Sequence, residues 1–200
     1  MEQSHAQTLA GIPPFWFLYE NGQLATRDNS ELWWKKNSNT DAQIRTRYEG
    51  LYKAEIVGEL DALQEKHQML ARIILLDQFS RNMFRDSPRA FFADTRARWL
   101  AYQLLEEIES FHPMEQVFIL LPFEHSEALA EQCISLEGFQ RLHDQAPATH
   151  KPLFATYLDF AQRHLNIVAR FGRFAHRNGL LRRTSSSEEI AFLQQPGAGF

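Results

Sequence analysis

The segment Leu70-Ala71-Arg72-Ile73-Ile74-Leu75-Leu76-Asp77-Gln78-Phe79-Ser80-Arg81-Asn82 sets the fold class. Its apolar residues recur at helical steps, and the pattern predicts one helix from Gln64 to Ser80. On that helix Leu70, Ile73, Ile74 and Asp77 share a face, so Asp77 points toward the core. A buried carboxylate without a partner is very costly, so a cation or several donors must meet it. Arg81 lies four residues on and can reach back, and Arg85 is another turn further. Two readings stay open: an ion pair that fixes the helix end, or a polar pocket lined by Asp77, Arg81 and Arg85.

Working outward, the helical pattern continues almost throughout. Pro13-Pro14 can open a short helix carrying Phe15, Trp16, Phe17 and Leu18. A short helix spans Glu31 to Lys36. Thr40, with Gln43 three residues on, reads as a capping box for a helix toward Val57. Ser87-Pro88 reads as the start of a helix reaching about Glu109. Met114 to Leu121 follows, ended or kinked by Pro122, and then a helix from Phe123 to Leu142. After the turn at Pro147 to Pro152 another helix runs to Phe171, where Gly172 is a C-terminal stop. Ser185 or Ser186, with Glu188 or Glu189 three residues later, caps a last short helix. No stretch alternates with period two, and no hairpin dipeptide is found between β-branched runs. The expectation is an all-α single domain over residues 1–200, with roughly seven to nine helices. No 34-residue repeat stands out, although helix pairs stacked as a solenoid need not show one.

Composition removes several alternatives. The 200 residues suit one domain with a full core, and 44% hydrophobic against 23% charged residues is ordinary for a globular chain. The single cysteine, Cys133, cannot form an internal disulfide. No apolar run approaches the ~20 residues of a membrane span, and Met1 to His5 do not resemble a signal peptide. A cytoplasmic location is therefore expected. The net charge of −4 argues against nucleic-acid binding. That average hides a split: Trp99 to Gln140 holds eight Glu and no Lys or Arg, whereas Phe160 to Ser187 holds six Arg and no Asp or Glu.

Two further polar segments interrupt apolar faces. In Leu121-Pro122-Phe123-Glu124-His125-Ser126-Glu127, continuing through Leu129, Gln132 and Leu136, a helix would put His125 and Gln132 on one apolar stripe. A satisfied core histidine explains this, and so does a His–carboxylate set for acid–base chemistry, with His125, Glu127 and Asp77 as its members. In Arg170-Phe171-Gly172-Arg173-Phe174-Ala175-His176-Arg177-Asn178, preceded by His164, the cations follow a helix end where the macrodipole favours positive charge. They could pair with the acidic segment, or Arg173, His176, Arg177 and Asn178 could converge on an anion. Metal binding has little support, because there is no His-Glu-x-x-His and a lone cysteine excludes thiolate zinc sites. No cofactor motif of the Gly-rich phosphate-loop kind is present either.

These segments resemble the DUF924 family of bacterial proteins of unknown function. The resemblance rests on Phe15-Trp16-Phe17, on Leu75 to Arg85, and on Ala90-Phe91-Phe92-Ala93-Asp94. Leu121 to Glu127 and Arg170 to Asn178 complete it. It implies a compact α-helical fold similar to tetratricopeptide stacks, and no established activity. The sequence departs from the family at Ala175 and Ser80, where proline is usual or frequent, and in Leu180-Leu181-Arg182-Arg183, which lacks an expected glycine.

Grouping the polar segments gives one expected centre: Asp77, His125 and Glu127 as acid–base residues, and Arg81, Arg85, Gln132, His164, Arg170, Arg173, His176, Arg177 and Asn178 as binding residues. Two functions compete. A helical module would bind a protein or peptide in a concave groove, with Trp33 or Trp34 at its rim. Alternatively, an enzyme or small-anion binder would hold a carboxylate or phosphate with Arg81, Arg173 and Arg177 while His125 moves a proton. The second requires a cavity that solvent can enter.

Overall fold

Every residue from Met69 to Ser80 is buried, so the deciding segment runs through the middle of the molecule instead of presenting one face to it. The computed structural model describes residues 2–195. Helices α1 (Glu2–Ala10) and α2 (Ile12–Trp16) lead to a two-stranded hairpin, β1 (Tyr19–Glu20) and β2 (Gln23–Leu24). Then come α3 (Ser30–Trp33), α4 (Ser38–Ile56), α5 (Lys66–Ile73), α6 (Ser80–Met83) and α7 (Asp94–Leu104). The chain continues through α8 (Pro113–Glu124), α9 (Leu129–Gln145), α10 (Lys151–Phe171) and α11 (Ser187–Leu193). The fold is all-α apart from the small hairpin. Among the described residues no helix is long and apolar enough to cross a membrane.

Central position follows from composition. α8 buries every residue from Met114 to Glu124, with Pro122 inside the helix. It packs against α9 where Gly138 leaves no side chain, since a Cβ there would fall on the Leu120 side chain. Trp16, Trp33, Phe79 and Phe118 meet edge-on nearby, with Trp33 and Phe118 centroids 4.9 Å apart. A second device ties α4, α5 and α7 together. Arg72 and Glu55, both with fully buried side chains, form a two-pronged pair at 2.8 and 2.9 Å, and Arg96 donates to the same carboxylate.

Several boundaries differ from the sequence reading. The stretch expected as one helix from Gln64 to Ser80 begins at Lys66, capped by Glu65 and Gln68, and changes to a π-helical turn over Ile74–Phe79 before α6. α4 is capped by Asn37, whose side chain accepts from the amides of Asn39 and Thr40. Thr40 is thus inside the first turn, because an asparagine three residues earlier is an equally good cap. Ser87 caps only a 3₁₀ turn, Pro88–Phe91, and α7 starts afresh at Asp94. The hairpin was not expected. Its turn is Asn21-Gly22, both with positive φ (51° and 77°), the residue pair that a tight two-residue hairpin favours. Finally, the helix expected from Phe123 to Leu142 is divided: Phe123 and Glu124 end α8, and α9 begins at Leu129.

Candidate functional site: a buried acid–base cluster on one cavity

The division between α8 and α9 places the histidine. His125 is the C-terminal cap of α8, at the start of a turn, and does not lie on a continuous helical stripe. Gln132, fully buried on α9, holds that turn by donating to the backbone oxygens of Glu124 and Ser126, each at 2.6 Å. From there the His125 ring reaches the π-helical turn, with Nδ1 2.8 and 3.0 Å from the two carboxylate oxygens of Asp77. Single π turns recur at functional sites, where the extra residue re-aims side chains. Asp77 is 1% exposed, and its remaining partners are Gln78 Nε2 at 2.6 Å and Arg81 at 3.2 Å. Arg81 also makes a two-pronged contact with Asp94, at 3.1 and 3.2 Å.

This cluster opens on a cavity of about 780 Å³, within the size range of small-molecule sites. His125, Arg81, Glu124, His164, His176 and Arg177 line its polar end, and Trp34, Phe91, Tyr157 and Phe160 supply aromatic wall. Tyr157 and Trp34 are fixed by one acceptor: Tyr157 Oη–H donates to Asp28 Oδ1 at 2.8 Å and Trp34 Nε1–H at 3.0 Å.

Residues 12–197 match the family described as "Bacterial protein of unknown function (DUF924)". The chain belongs to the DUF924 family. It is also similar to a solved structure of a protein of unknown function, ATU0120 from Agrobacterium tumefaciens, at 33% identity and a TM-score of 0.75. That similarity covers 94% of this chain and 98% of the other. Comparison with curated proteins gives no match.

The DUF924 chain brings only part of the expected centre together. Arg81, His125, His164, His176 and Arg177 line the cavity, with Asp77 buried behind His125 and Arg81, and Arg85 lies along it, gripped by Asp41 at 2.6 and 2.8 Å. Glu127 is drawn away by Arg183, at 2.6 and 2.8 Å, and by the Phe174 amide, at 2.9 Å. Arg173 is held by Glu189 at 2.7 and 2.8 Å, and Asn178 bonds Ser185 and Arg183. Arg170 lies over Phe171. Glu127 thus ties residues 174 and 183 to the turn after α8, while Arg173 and Asn178 brace residues 173–189 from within, by partners that sequence order does not reveal. Residues missing from the sequence reading are Asp94, Tyr157 and Asp28. No local spacing marks them, although Asp94 lies inside the family stretch Ala90 to Asp94.

Electrostatics divide the site into charged and neutral members. Burial works to raise the Asp77 carboxyl, but the Arg81 charge and the bonds from His125 and Gln78 outweigh it and hold the group well below the usual range. Burial lowers His125 despite the pull of Asp77, so the ring is neutral near pH 7. With Nδ1–H given to Asp77, Nε2 carries the lone pair and has no partner among the described residues. His164 is pushed down to about 3 by burial and by His125, and His176 to about 4 by burial and Arg177. Glu124 goes the other way. Fully buried at the end of α8 and facing the Asp77 charge, it is raised to about 8 and is a neutral acid at pH 7. Its Oε1 lies 3.2 Å from His164 Nδ1.

The Glu124 shift has a measurable sign. The unfolded carboxyl ionises near its ordinary 4.5, whereas the folded one keeps its proton to about 8. Between those values the folded state binds the extra proton, so this group's share of stability falls as pH rises from 4.5 to 8 and then levels. Glu124→Gln cannot ionise and lacks that loss. Urea midpoints for the two proteins are expected to agree near pH 5 and to separate by pH 9, with the variant the more stable by several kcal/mol at most. Parallel pH dependences would show that Glu124 is ionised in the folded protein.

Proposed function

We propose that this DUF924 protein acts on a small molecule bound in the cavity, with His125 as the proton-transfer group. The observation that carries the reading is the Asp77–His125 pair opening on the cavity with Nε2 unengaged. Asp77 fixes the tautomer and would stabilise the imidazolium formed when Nε2 accepts a proton. Glu124, uncharged at neutral pH, is placed on the same cavity to return one. The two groups have their ordinary affinities for protons pushed apart by environment, as paired acid and base require.

The cavity favours this reading over a peptide-binding module. Trp33 is buried, and Trp34, 44% exposed, lines the cavity with its ring against Tyr157. The packing of α9 against both α8 and α10 is what a tetratricopeptide-like stack would give, and we read the scaffold that way.

The test combines two measurements. A thermal-shift panel of small carboxylates, phosphates, esters and amides finds cavity ligands, because a ligand of the folded state raises Tm. Nitrogen NMR of the histidines then follows His125. The expected result is a neutral Nδ1–H tautomer near pH 7 whose Nε2 resonance moves with each stabilising compound. A panel with no stabilising compound, or a His125 resonance that ignores every binder, overturns the proposal.

A further inference from the structure

The arginines on the cavity are not equivalent. Arg81 is engaged by Asp77 and Asp94, and Arg85 by both oxygens of Asp41. Arg177 is the exception. Its side chain is 8% exposed, its nearest carboxylate oxygen is Asp94 Oδ2 at 3.6 Å, and its Nε is buried with no hydrogen-bond partner among the described residues. The guanidinium cannot swing away to find one, because it sits between the rings of Phe91 and Phe174, 4.7 and 4.6 Å from their centroids. A buried cationic donor without an acceptor is costly, and an acceptor arriving in the cavity would relieve that cost.

We propose that Arg177 anchors the carboxylate of a small acid with an apolar body. The inference rests on the cavity being a small-molecule site, as argued above. The planar donor edge of a guanidinium matches a carboxylate. Charge balance favours a single negative charge over two. Asp94 lies within ion-pair distance of both Arg177 and Arg81, and Asp77 faces Arg81 from behind, so the local positive charge is already largely compensated. A phosphate dianion would meet these carboxylates with the loosely paired Arg177 as the cation that opposes them. The cavity lining also includes the aromatic rings of Phe91, Trp34 and Tyr157, which suit a hydrophobic body.

Calorimetric titration with naphthalene-2-carboxylate, its amide and 2-naphthyl phosphate separates the parts of the proposal. The carboxylate is expected to bind the wild-type protein more tightly than either congener. Arg177→Gln should weaken it roughly ten- to hundredfold while leaving the amide unchanged. Arg177→Lys, which keeps the charge and loses the planar fork, should also weaken it, and stands in should the glutamine variant not fold. Carboxylate affinity untouched by either substitution, or phosphate binding tighter than carboxylate, overturns the Arg177 assignment. If the amide or the phosphate binds and the carboxylate does not, the carboxylate assignment fails and the small-molecule cavity stands. If none of the three binds, both fail.

Discussion

Replacing Arg72 by methionine lowers the stability of the folded chain by about 3–5 kcal/mol. Arg72 sits at the junction of α4, α5 and the connection between them, with no exposed side-chain surface. It gives two bonds to Glu55, one to the Leu63 carbonyl at 3.0 Å and one to Asp61 at 3.1 Å. Methionine fills much of the same volume, so the loss reflects electrostatics more than a void. What remains is the buried Glu55 carboxylate with Arg96 as its one cation among the described residues, and a carbonyl without its donor. Removing one partner of a buried pair is far more damaging than removing both. The double variant Arg72→Met/Glu55→Leu should therefore be more stable than Arg72→Met alone. Urea unfolding of the two variants and the wild type at pH 7 checks the order. A loss below about 1 kcal/mol for Arg72→Met would show that water or rearrangement replaces the network.

Arg72 also shows what could be read from the sequence and what could not. It stands within the segment that set the fold class, yet helical spacing offered it no partner: Glu55 lies 17 residues back, on another helix. Periodicity and caps gave α2, α10 with its stop at Gly172, and the Ser186 cap of α11. They missed the π turn, because an added residue per turn leaves no mark in a segment buried on all sides. They missed the hairpin, because Asn21-Gly22 joins strands of two residues, too short to show alternation. The need of Asp77 for a partner was legible, since burial of a carboxylate demands one. That His125 would be that partner depended on a turn at residues 125–128, where a continuous helix had been expected. The convergence of all the cations was overdrawn for a related reason. Arg173 and Glu189, 16 residues apart, satisfy each other at 2.7 Å, whereas Arg177, set between two phenylalanine rings, comes no nearer than 3.6 Å to Asp94.

Asp77→Asn is expected to cost about 3 kcal/mol near neutral pH, at the low end for a broken buried pair because Arg81 retains Asp94. Asparagine keeps the shape and an acceptor oxygen but not the charge that His125 and Arg81 share. The cost should also depend on pH in a direction fixed by the shift. The folded Asp77 carboxyl ionises below its ordinary 3.8, so its contribution is complete above that value and is lost as pH falls through it toward the folded ionisation. The variant has no such group, so the gap between wild type and variant should be widest at pH 6–7 and should shrink toward pH 3. Urea midpoints at pH 7, 5 and 3 measure it. A gap that stays constant would place the stabilisation in packing and not in the carboxylate charge. The same substitution reports on the histidine. With the carboxylate gone, burial acts on His125 unopposed, so its protonation should move further below its ordinary range, and its preference for the Nδ1–H tautomer should weaken. A purely structural Asp77 could account for the stability change. It could not account for a tautomer shift joined to weaker response of His125 to cavity ligands, and that pairing is what proton transfer at Nε2 requires.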